Sequence, residues 1–391
     1  MENNENIQDY IIDKIFLEKY KCIERIGKGS FSMVYKAEYD NKYYAIKLER
    51  KELQNLLENE STIMNFLKGP NIPYIKTYGS SGDFNILVMQ LLGKDLQTLF
   101  SEKKNSFSLK TVCMLAYQMI SILENIHNKN IIHRDIKPEN FLMGQQEEIN
   151  SIFLYLIDFG LSKFYNKNSV TFYKNVNKDR NKIIGTPRYA SINALRGIEQ
   201  SKKDDLESIG YVLVYFLKGS LPWQSINIKN KSEKLKKILV LKIETSSSDL
   251  CNGLPKEFEL YLDYCKNLDL EIEPDYNMLK NLFLQVLYKE KMQFDYIYDW
   301  SNSKDIEISN SYINTNNKII CSYIPINLKD IKNNYILTTN NKEFVSLNHE
   351  TENTITEAKN EEDDKNKENE DSKENEQIKE NRNEVCCCFL I

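Results

Sequence analysis

Four side chains that can do chemistry lie in two short runs near the middle of the chain. Asp135, Lys137 and Asn140 belong to the run IHRDIKPEN, and Asp158 opens the run DFG. Asp158 and Asn140 offer the oxygen ligands that magnesium prefers. Asp135 can accept the proton of an attacking hydroxyl, and Lys137 can neutralise phosphate charge. Because phosphoryl transfer depends on positioning and charge neutralisation, this set predicts a phosphoryl-transfer site.

A glycine-rich loop, GKGSFSMV at residues 27–34, follows a predicted strand. Glycines let a backbone turn tightly and bring its N–H groups close to phosphate oxygens. An ordinary hairpin is the alternative interpretation of this loop. Ser32 stands where a third glycine would complete the pattern GxGxxG, and a positive φ there would cost about 1–2 kcal/mol.

Lys47 ends a strand one hairpin after the glycine loop, in the run YAIK. This spacing predicts that its ammonium lies beneath the loop, where the phosphates of a nucleotide would bind. A lysine on the surface at a strand end is the alternative. We expect Glu60 to pair with Lys47 in preference to Glu58, because Glu60 shares the apolar stripe of Ile63 and Met64.

Elements of two kinds position these residues. Alternating runs separated by turn residues predict an antiparallel sheet within residues 20–90. These runs are 22–26, 33–37, 43–47 and 86–89. One helix, 53–67, interrupts the sheet, and helical periods then dominate at 109–127, 204–217 and 277–287. A small sheet lobe followed by a larger helical lobe leaves a cleft between them as the natural ligand site.

The motifs, in this order, resemble those of the eukaryotic protein kinases. More narrowly, four later segments resemble casein kinase 1. They are IGTPRYASIN at 184–193, GIEQS at 197–201, DDLESIGY at 204–211 and GSLPWQ at 219–224. The similarity extends from about Tyr20 to Trp300.

The resemblance implies an α+β, bilobal protein kinase fold over residues 20–300. The N-lobe would span about 20–92 and the C-lobe about 93–300. ATP and Mg²⁺ would be the cofactors, with Asn140 and Asp158 as metal ligands. The catalytic residues would be Asp135, Lys137, Lys47 and Glu60. The residues implied to bind ATP are Ile26, Gly27, Lys28, Gly29, Ser30, Val34, Ala45, Lys47, Met89 and Leu92.

Two further matches concern support of the site. Residues 90–92 match the hinge that contacts adenine through its backbone. Asp205 matches the helix aspartate that braces the catalytic loop in kinases.

The charge around residues 163–188 predicts an anionic substrate. This stretch contains seven basic residues and a single acid, Asp179, in a chain whose net charge is −5. A local excess of positive charge beside the site attracts anions; a solvated basic loop is the alternative. The resemblance implies that Arg188, Lys234 and the backbone N–H of Ser225 bind a phosphate already present on the substrate.

Composition divides the remaining chain into two parts. Residues 301–348 form an Asn-rich linker, and 349–391 form an acidic tail expected to be disordered. From Glu350 to Glu384 there are 14 acids and 6 bases. The overall balance argues against nucleic acid as a partner. No run approaches the roughly 20 apolar residues that span a bilayer.

Three adjacent cysteines, Cys386, Cys387 and Cys388, follow the acidic tail. The last four residues fit a prenylation motif loosely, S-acylation is a second interpretation, and a metal or redox role is a third. Stable anchoring takes two signals, and a tail without a basic patch must supply a second lipid. The other cysteines are scattered singly, as in a reducing cytosol. We therefore expect a cytoplasmic protein, peripheral on the cytoplasmic face of a membrane.

Three functions compete. The first is a monomeric Ser/Thr protein kinase that phosphorylates acidic or phosphorylated protein substrates. The second is a pseudokinase-like scaffold at membranes, and the third is a kinase of small molecules or lipids. The joint presence of Lys47, Asp135, Asn140 and Asp158 argues against the scaffold. The segment 185–193, which resembles a platform for peptide substrates, argues against the third.

Overall fold

A computed structural model describes residues 10–29, 32–52, 56–146, 148–165 and 184–315. An antiparallel sheet of six strands forms the N-lobe, in the order β1-β2-β3-β4-β6-β5. The strands are β1 (Ile15–Phe16), β2 (Tyr20–Lys28), β3 (Ser32–Tyr39), β4 (Lys42–Arg50), β5 (Ile75–Ser81) and β6 (Phe84–Gln90). Helix α1 (Leu56–Leu67) packs against β5 and β6.

Alternation predicts four of these strands, and all four are present. Strand β1 has only two residues, too few to show a period. Strand β5 lies at the sheet edge and has no fully buried residue, so its sequence lacks the apolar alternation of a half-buried strand.

Helices make up most of the C-lobe. They are α2 (Leu96–Glu102), α3 (Leu109–Asn128), α4 (Ile192–Arg196), α5 (Lys202–Lys218), α6 (Lys231–Glu244), α7 (Ser247–Leu250), α8 (Lys256–Asn267), α9 (Tyr276–Lys289) and α10 (Ser303–Thr315). Helices α3, α5 and α9 contain the three helical periods predicted for this lobe. The side chain of Ser108 caps α3, and a capping box of Ser201 and Asp204 begins α5. Most of α3 and α5 is buried, so these two helices form the centre of the core.

Four short strands of the C-lobe form two pairs. Strands β7 (Ile131–Ile132) and β10 (Lys163–Phe164) pair with each other, as do β8 (Phe141–Met143) and β9 (Leu154–Leu156). The residues between these strands include both chemical runs of the sequence. In the described part of the chain, no helix is long and apolar enough to cross a membrane.

The interpretation of residues 301–348 as a linker needs correction at its start. Residues 303–315 form α10, in which Tyr312 is 2% exposed and Ser309 is fully buried. The Tyr312 ring packs edge-on against Phe153 and Tyr296, with centroids 5.1 and 5.3 Å away. Tyr312 is a single aromatic residue in an Asn-rich stretch, so the average composition of that stretch does not reveal its contact with the folded domain. The folded unit therefore continues beyond residue 300.

Candidate functional site

A cavity of about 1060 Å³ lies between the lobes. Its walls contain every residue predicted to bind ATP except Ser30, which lies outside the described residues. Those residues are Ile26, Gly27, Lys28, Gly29, Val34, Ala45, Lys47, Met89 and Leu92. Glu60, Asp135, Lys137, Asn140 and Asp158 line the same cavity. The structure thus brings the glycine loop, the strand lysine and both chemical runs together.

Strands β2 and β3 form the roof of the cavity. Gly27 lies opposite Val34, and the Gly29 N–H donates to the Ser32 carbonyl at 2.8 Å. Ser32, at the position of the expected third glycine, is the first residue of β3 and pairs with Glu49 of β4. The departure from GxGxxG is therefore accommodated within a strand.

Lys47 is held between two carboxylates. Its Nζ is 2.6 Å from Glu60 Oε2 and 2.8 Å from Asp158 Oδ1. Glu60 is buried whereas Glu58 is exposed, so the pairing predicted from the apolar stripe is confirmed. Burial alone would lower the pKa of Lys47, but Glu60 and Asp158 outweigh it and raise that pKa. Lys47 is therefore a cation at the inner wall of the cavity.

Asp135 has a partner on each carboxylate oxygen. Lys137 Nζ donates to Oδ2 at 2.5 Å, and the Thr186 hydroxyl donates to Oδ1 at 2.8 Å. The Asn140 amide nitrogen donates to the Asp135 backbone carbonyl at 2.8 Å. This bond leaves the Asn140 side-chain oxygen for a cation. Asp135 is 6% exposed and therefore has a fixed orientation toward the cavity.

Sequence reasoning missed Thr186. Its contact with Asp135 depends on Gly185, whose φ is +96° and whose backbone passes against the carbonyl of Arg134. A Cβ at position 185 would lie 2.5 Å from that oxygen. The Gly185-Thr186 pair, at the start of the substrate-facing segment, was the available signal in the sequence. The contact between Thr186 and Asp135 could not be predicted from it, because it depends on the path of the backbone.

Asp205 braces the loop that carries Asp135. It accepts the backbone N–H groups of His133 at 2.7 Å and Arg134 at 2.8 Å, and it contacts His127 Nε2 at 2.9 Å. Burial would raise the pKa of Asp205, but the contacts with His127 and His133 lower it. Arg134 has a φ of +68°, a left-handed conformation that costs free energy in a non-glycine residue. The charge-assisted bonds to Asp205 stabilise this strained turn.

Asp158 follows β9 and adopts a left-handed φ of +67°. The next residue, Phe159, is fully buried against the His133 ring, with centroids 5.1 Å apart. Burial would raise the pKa of Asp158, but Lys47 first and then Lys137 and His133 hold it at about 2. A charged carboxylate and a free amide oxygen on one cavity wall fit a magnesium ion, with Asp158 and Asn140 as its protein ligands.

The hinge lies where β6 ends. Met89 pairs with Ala45, and both line the cavity. Among the predicted hinge residues, Gln90 already uses its backbone N–H, which donates to the Tyr74 carbonyl at 2.9 Å. Adenine recognition through backbone N–H groups would therefore fall to residues 91 and 92.

The residues predicted to bind a substrate phosphate do not line the interlobe cavity. Arg188 follows Thr186 closely, Ser225 is exposed on the loop between α5 and α6, and Lys234 lies in the first turn of α6. Two hydrogen bonds join these elements. Trp223 Nε1 donates to the Arg188 carbonyl at 2.8 Å, and Lys242 Nζ donates to the Ala190 carbonyl at 2.5 Å.

Two groups of predicted residues lie outside the described part of the chain. They are the basic residues within 166–183, and Cys386, Cys387 and Cys388. Anion attraction by the first group and lipid attachment by the second stay predictions.

One comparison with known proteins bears on this site. The family model for the protein kinase domain matches residues 20–274, about two thirds of the chain. The matched range begins with β2 and ends just before α9. It contains all the charged and polar residues described above at the inner wall of the cavity: Lys47, Glu60, Asp135, Lys137, Asn140 and Asp158.

Proposed function

This chain belongs to the protein kinase family, and we propose that it is an active Ser/Thr kinase of casein kinase 1 type. ATP would be the phosphate donor and acidic or phosphorylated proteins the acceptors. The type and the Ser/Thr preference rest on the resemblance of residues 184–224 to casein kinase 1. A pseudokinase-like scaffold is the alternative.

The observation that carries the proposal is the connected set of charges at the inner wall. Lys47 contacts both Glu60 and Asp158, while Asp135 contacts Lys137 and Thr186. No member of this set is missing or turned away from the cavity. A scaffold has no need of such a set, whereas transfer of a charged phosphoryl group requires it.

Each side chain would have a distinct part in the reaction. Magnesium bound to ATP would offset phosphate charge, held by Asp158 and Asn140. Asp135 would accept the proton of the substrate hydroxyl, and Thr186 would fix the orientation of its carboxylate. Lys137, two residues from the proton acceptor, would stabilise negative charge on the transferred group.

The substrate class is a second part of the proposal. Arg188 is positive and lies beside Tyr189 and Tyr215, with its guanidinium carbon 5.7 and 5.8 Å from the ring centroids. Its segment is bonded to the loop of Ser225 and to the helix of Lys234. These contacts support a common anion site for a phosphate already on the substrate.

Membrane tethering is the third part. Its support is the run of three adjacent cysteines after an acidic, aromatic-free segment. A segment of that composition offers few apolar residues for a core, and lipid attachment is a chemistry that uses several adjacent cysteines.

A radiolabelled-ATP assay tests the catalytic proposal. The substrates are casein and a pair of peptides that differ only by a phosphoserine upstream of the acceptor serine. The wild-type chain should label casein, and Asp135→Asn should lower the rate about 10²–10⁴-fold through loss of the general base. If the wild-type chain binds ATP measurably but transfers no label to any of these substrates, the result would favour the scaffold.

The same peptide pair tests the anion site. Arg188→Glu and Lys234→Glu should lower kcat/KM for the phosphorylated peptide about ten- to hundredfold more than for the plain peptide, since a charge-assisted bond is lost. Lys237→Glu, at an exposed position of α6, is the matched control. Equal losses on both peptides would contradict the proposed site.

A further inference from the structure

Asn59 joins two parts of the site that are distant in sequence. Its side-chain nitrogen donates to the backbone carbonyls of Gly160 and Ser162, each at 3.1 Å. Asn59 directly precedes Glu60 on α1, and Gly160 lies two residues after Asp158. One amide group therefore connects the helix that carries Glu60 with the segment that carries Asp158.

The two bonds use the full donor capacity of the amide. A side-chain NH₂ group has two protons, and two carbonyl oxygens receive them here. Neither a carboxylate nor an aliphatic side chain of the same size can make this contact. Both bonds therefore require an asparagine at position 59. The helical pattern of apolar residues alone would place this position on the solvated face of α1.

A second contact fixes the start of the same helix. Glu49, 1% exposed and two residues after Lys47, accepts the N–H groups of Leu56 at 3.1 Å and Leu57 at 3.4 Å. A carboxylate at a helix N-terminus is stabilised by the helix dipole. Helix α1 is therefore attached to β4 at its first turn and to residues 160–162 through Asn59.

We propose that Asn59 is a positioning residue for phosphoryl transfer. It keeps α1 and the segment after Asp158 at the separation where Lys47 contacts Glu60 and Asp158 together. This role rests on the proposed function, because the Lys47 contacts matter only if the chain transfers phosphate. Asn59 acts through these residues and does not itself line the cavity.

The first experiment compares Asn59→Ala with Asn65→Ala. Asn65 is an exposed asparagine on the same helix and serves as the matched control. Asn59→Ala should lower kcat about tenfold, the effect of losing hydrogen bonds of ordinary strength, with little change in KM for the peptide. Asn59→Asp should lower kcat further, because a carboxylate would face two carbonyl oxygens. An unchanged kcat in both Asn59 variants overturns the proposal.

A double-mutant cycle separates positioning from a merely structural role. Asn59→Ala is combined with Glu60→Gln, and kcat is measured for the four chains. If Asn59 acts through the Lys47–Glu60 pair, its removal costs much less when that pair is already weakened. Independent, additive losses overturn the proposal. Thermal unfolding of the single variants shows whether either change affects the fold as a whole.

Hydrogen exchange provides a readout that does not depend on turnover. In Asn59→Ala, amides of α1 and of residues 160–162 should exchange at least about tenfold faster than in Asn65→Ala, because the bridge between them is gone. Unchanged exchange overturns the proposal even if activity falls. If the wild-type chain binds ATP but labels no substrate, the proposed function fails. The exchange result still shows whether Asn59 holds the two elements together.

Discussion

Asp158 is a charged group at neutral pH, although burial alone would raise its pKa, because Lys47 and Lys137 hold that pKa at about 2. Replacement by Asn keeps the shape but removes the charge that would bind magnesium. We expect Asp158→Asn to lose all measurable phosphate transfer to casein while its circular dichroism spectrum stays that of the wild type. Normal turnover in the folded variant would show that the metal is bound elsewhere.

The same depressed pKa predicts how the ion pair responds to acid. The folded-state pKa of Asp158 lies below the ordinary value of 3.8, so the unfolded chain binds a proton first. The stabilisation is therefore complete above about pH 4 and is lost as pH falls toward 2. The difference in unfolding free energy between the wild type and Asp158→Asn should shrink over this range. A constant difference in urea titrations across the range would mean that the pair does not stabilise the fold.

At the residue scale, the sequence predicts those side chains whose spacing reflects chemistry. Lys47, Asp135, Asn140 and Asp158 lie in short motifs, and the helical period selects Glu60 over Glu58. Thr186 and Asn59 could not be found this way. Each bonds to backbone or side-chain atoms that chain folding brings from far away; Asn59 stands in no motif, and the motif that contains Thr186 does not show its partner.

Gly185 illustrates how a backbone path positions a whole segment. Its φ of +96° and the nearby Arg134 carbonyl leave no room for a Cβ. We expect Gly185→Ala to displace Thr186 and to lower kcat/KM at least about tenfold, because the added Cβ would collide with the Arg134 carbonyl and the Thr186 hydrogen bond to Asp135 would be lost. Gly197→Ala is the matched control, because its φ is +72° but nothing lies within 4 Å of the added Cβ. Equal effects of the two variants on kcat/KM would mean that strain, not the close approach, matters.

Helix α6 is joined to the substrate-facing segment by a buried lysine. Lys242 is 1% exposed, donates to the Ala190 carbonyl, and lies 4.2 Å from the Tyr211 ring centroid and 4.8 Å from that of Trp223. Burial lowers its pKa to about 7 from the ordinary 10.5. Between these values the unfolded chain binds the extra proton, so stability should rise with pH across this window.

The measurement is urea unfolding at several pH values between 7 and about 8.5, the ordinary pKa of a thiol. Above this range burial of Cys22, Cys113, Cys251 and Cys265, which raises their pKa values, makes stability fall with pH. The rise should be present in the wild type and in Lys237→Met, an exposed control on the same helix. It should be absent in Lys242→Met. A rise of the same size in all three chains would assign it to another group.

At the element scale, periodicity predicts the elements with one clearly buried face. Helix α9 and strand β2 are of this kind, and their predicted ranges, 277–287 and 22–26, lie within the observed ones. Strand β5 has no fully buried residue, and the described side chains of helix α10 include only two buried ones, Ser309 and Tyr312. Their formation depends on partners that the local sequence does not contain.

The extent of the folded unit is a property of the whole molecule. Helix α10 closes over an aromatic cluster of Phe153, Tyr296 and Tyr312, and the buried Ser309 hydroxyl donates to the Asp295 carbonyl. Ser301 and Asn302, ahead of the helix, and Asp305, in its first turn, line the same interlobe cavity as Lys47 and Asp158. A chain ending at residue 300 would expose the cluster and remove one end of the cavity wall.

We therefore expect a chain truncated after Trp300 to be less stable than one truncated after Thr315. Loss of a buried aromatic side chain costs on the order of 3 kcal/mol, and Tyr312→Ala in the longer chain should reproduce most of the difference. Ile313→Ala, at a position 39% exposed, is the matched control and should have little effect. Urea unfolding of the four chains measures this directly. Equal unfolding free energies for the two truncated chains would place the end of the folded unit at residue 300, as composition alone suggests.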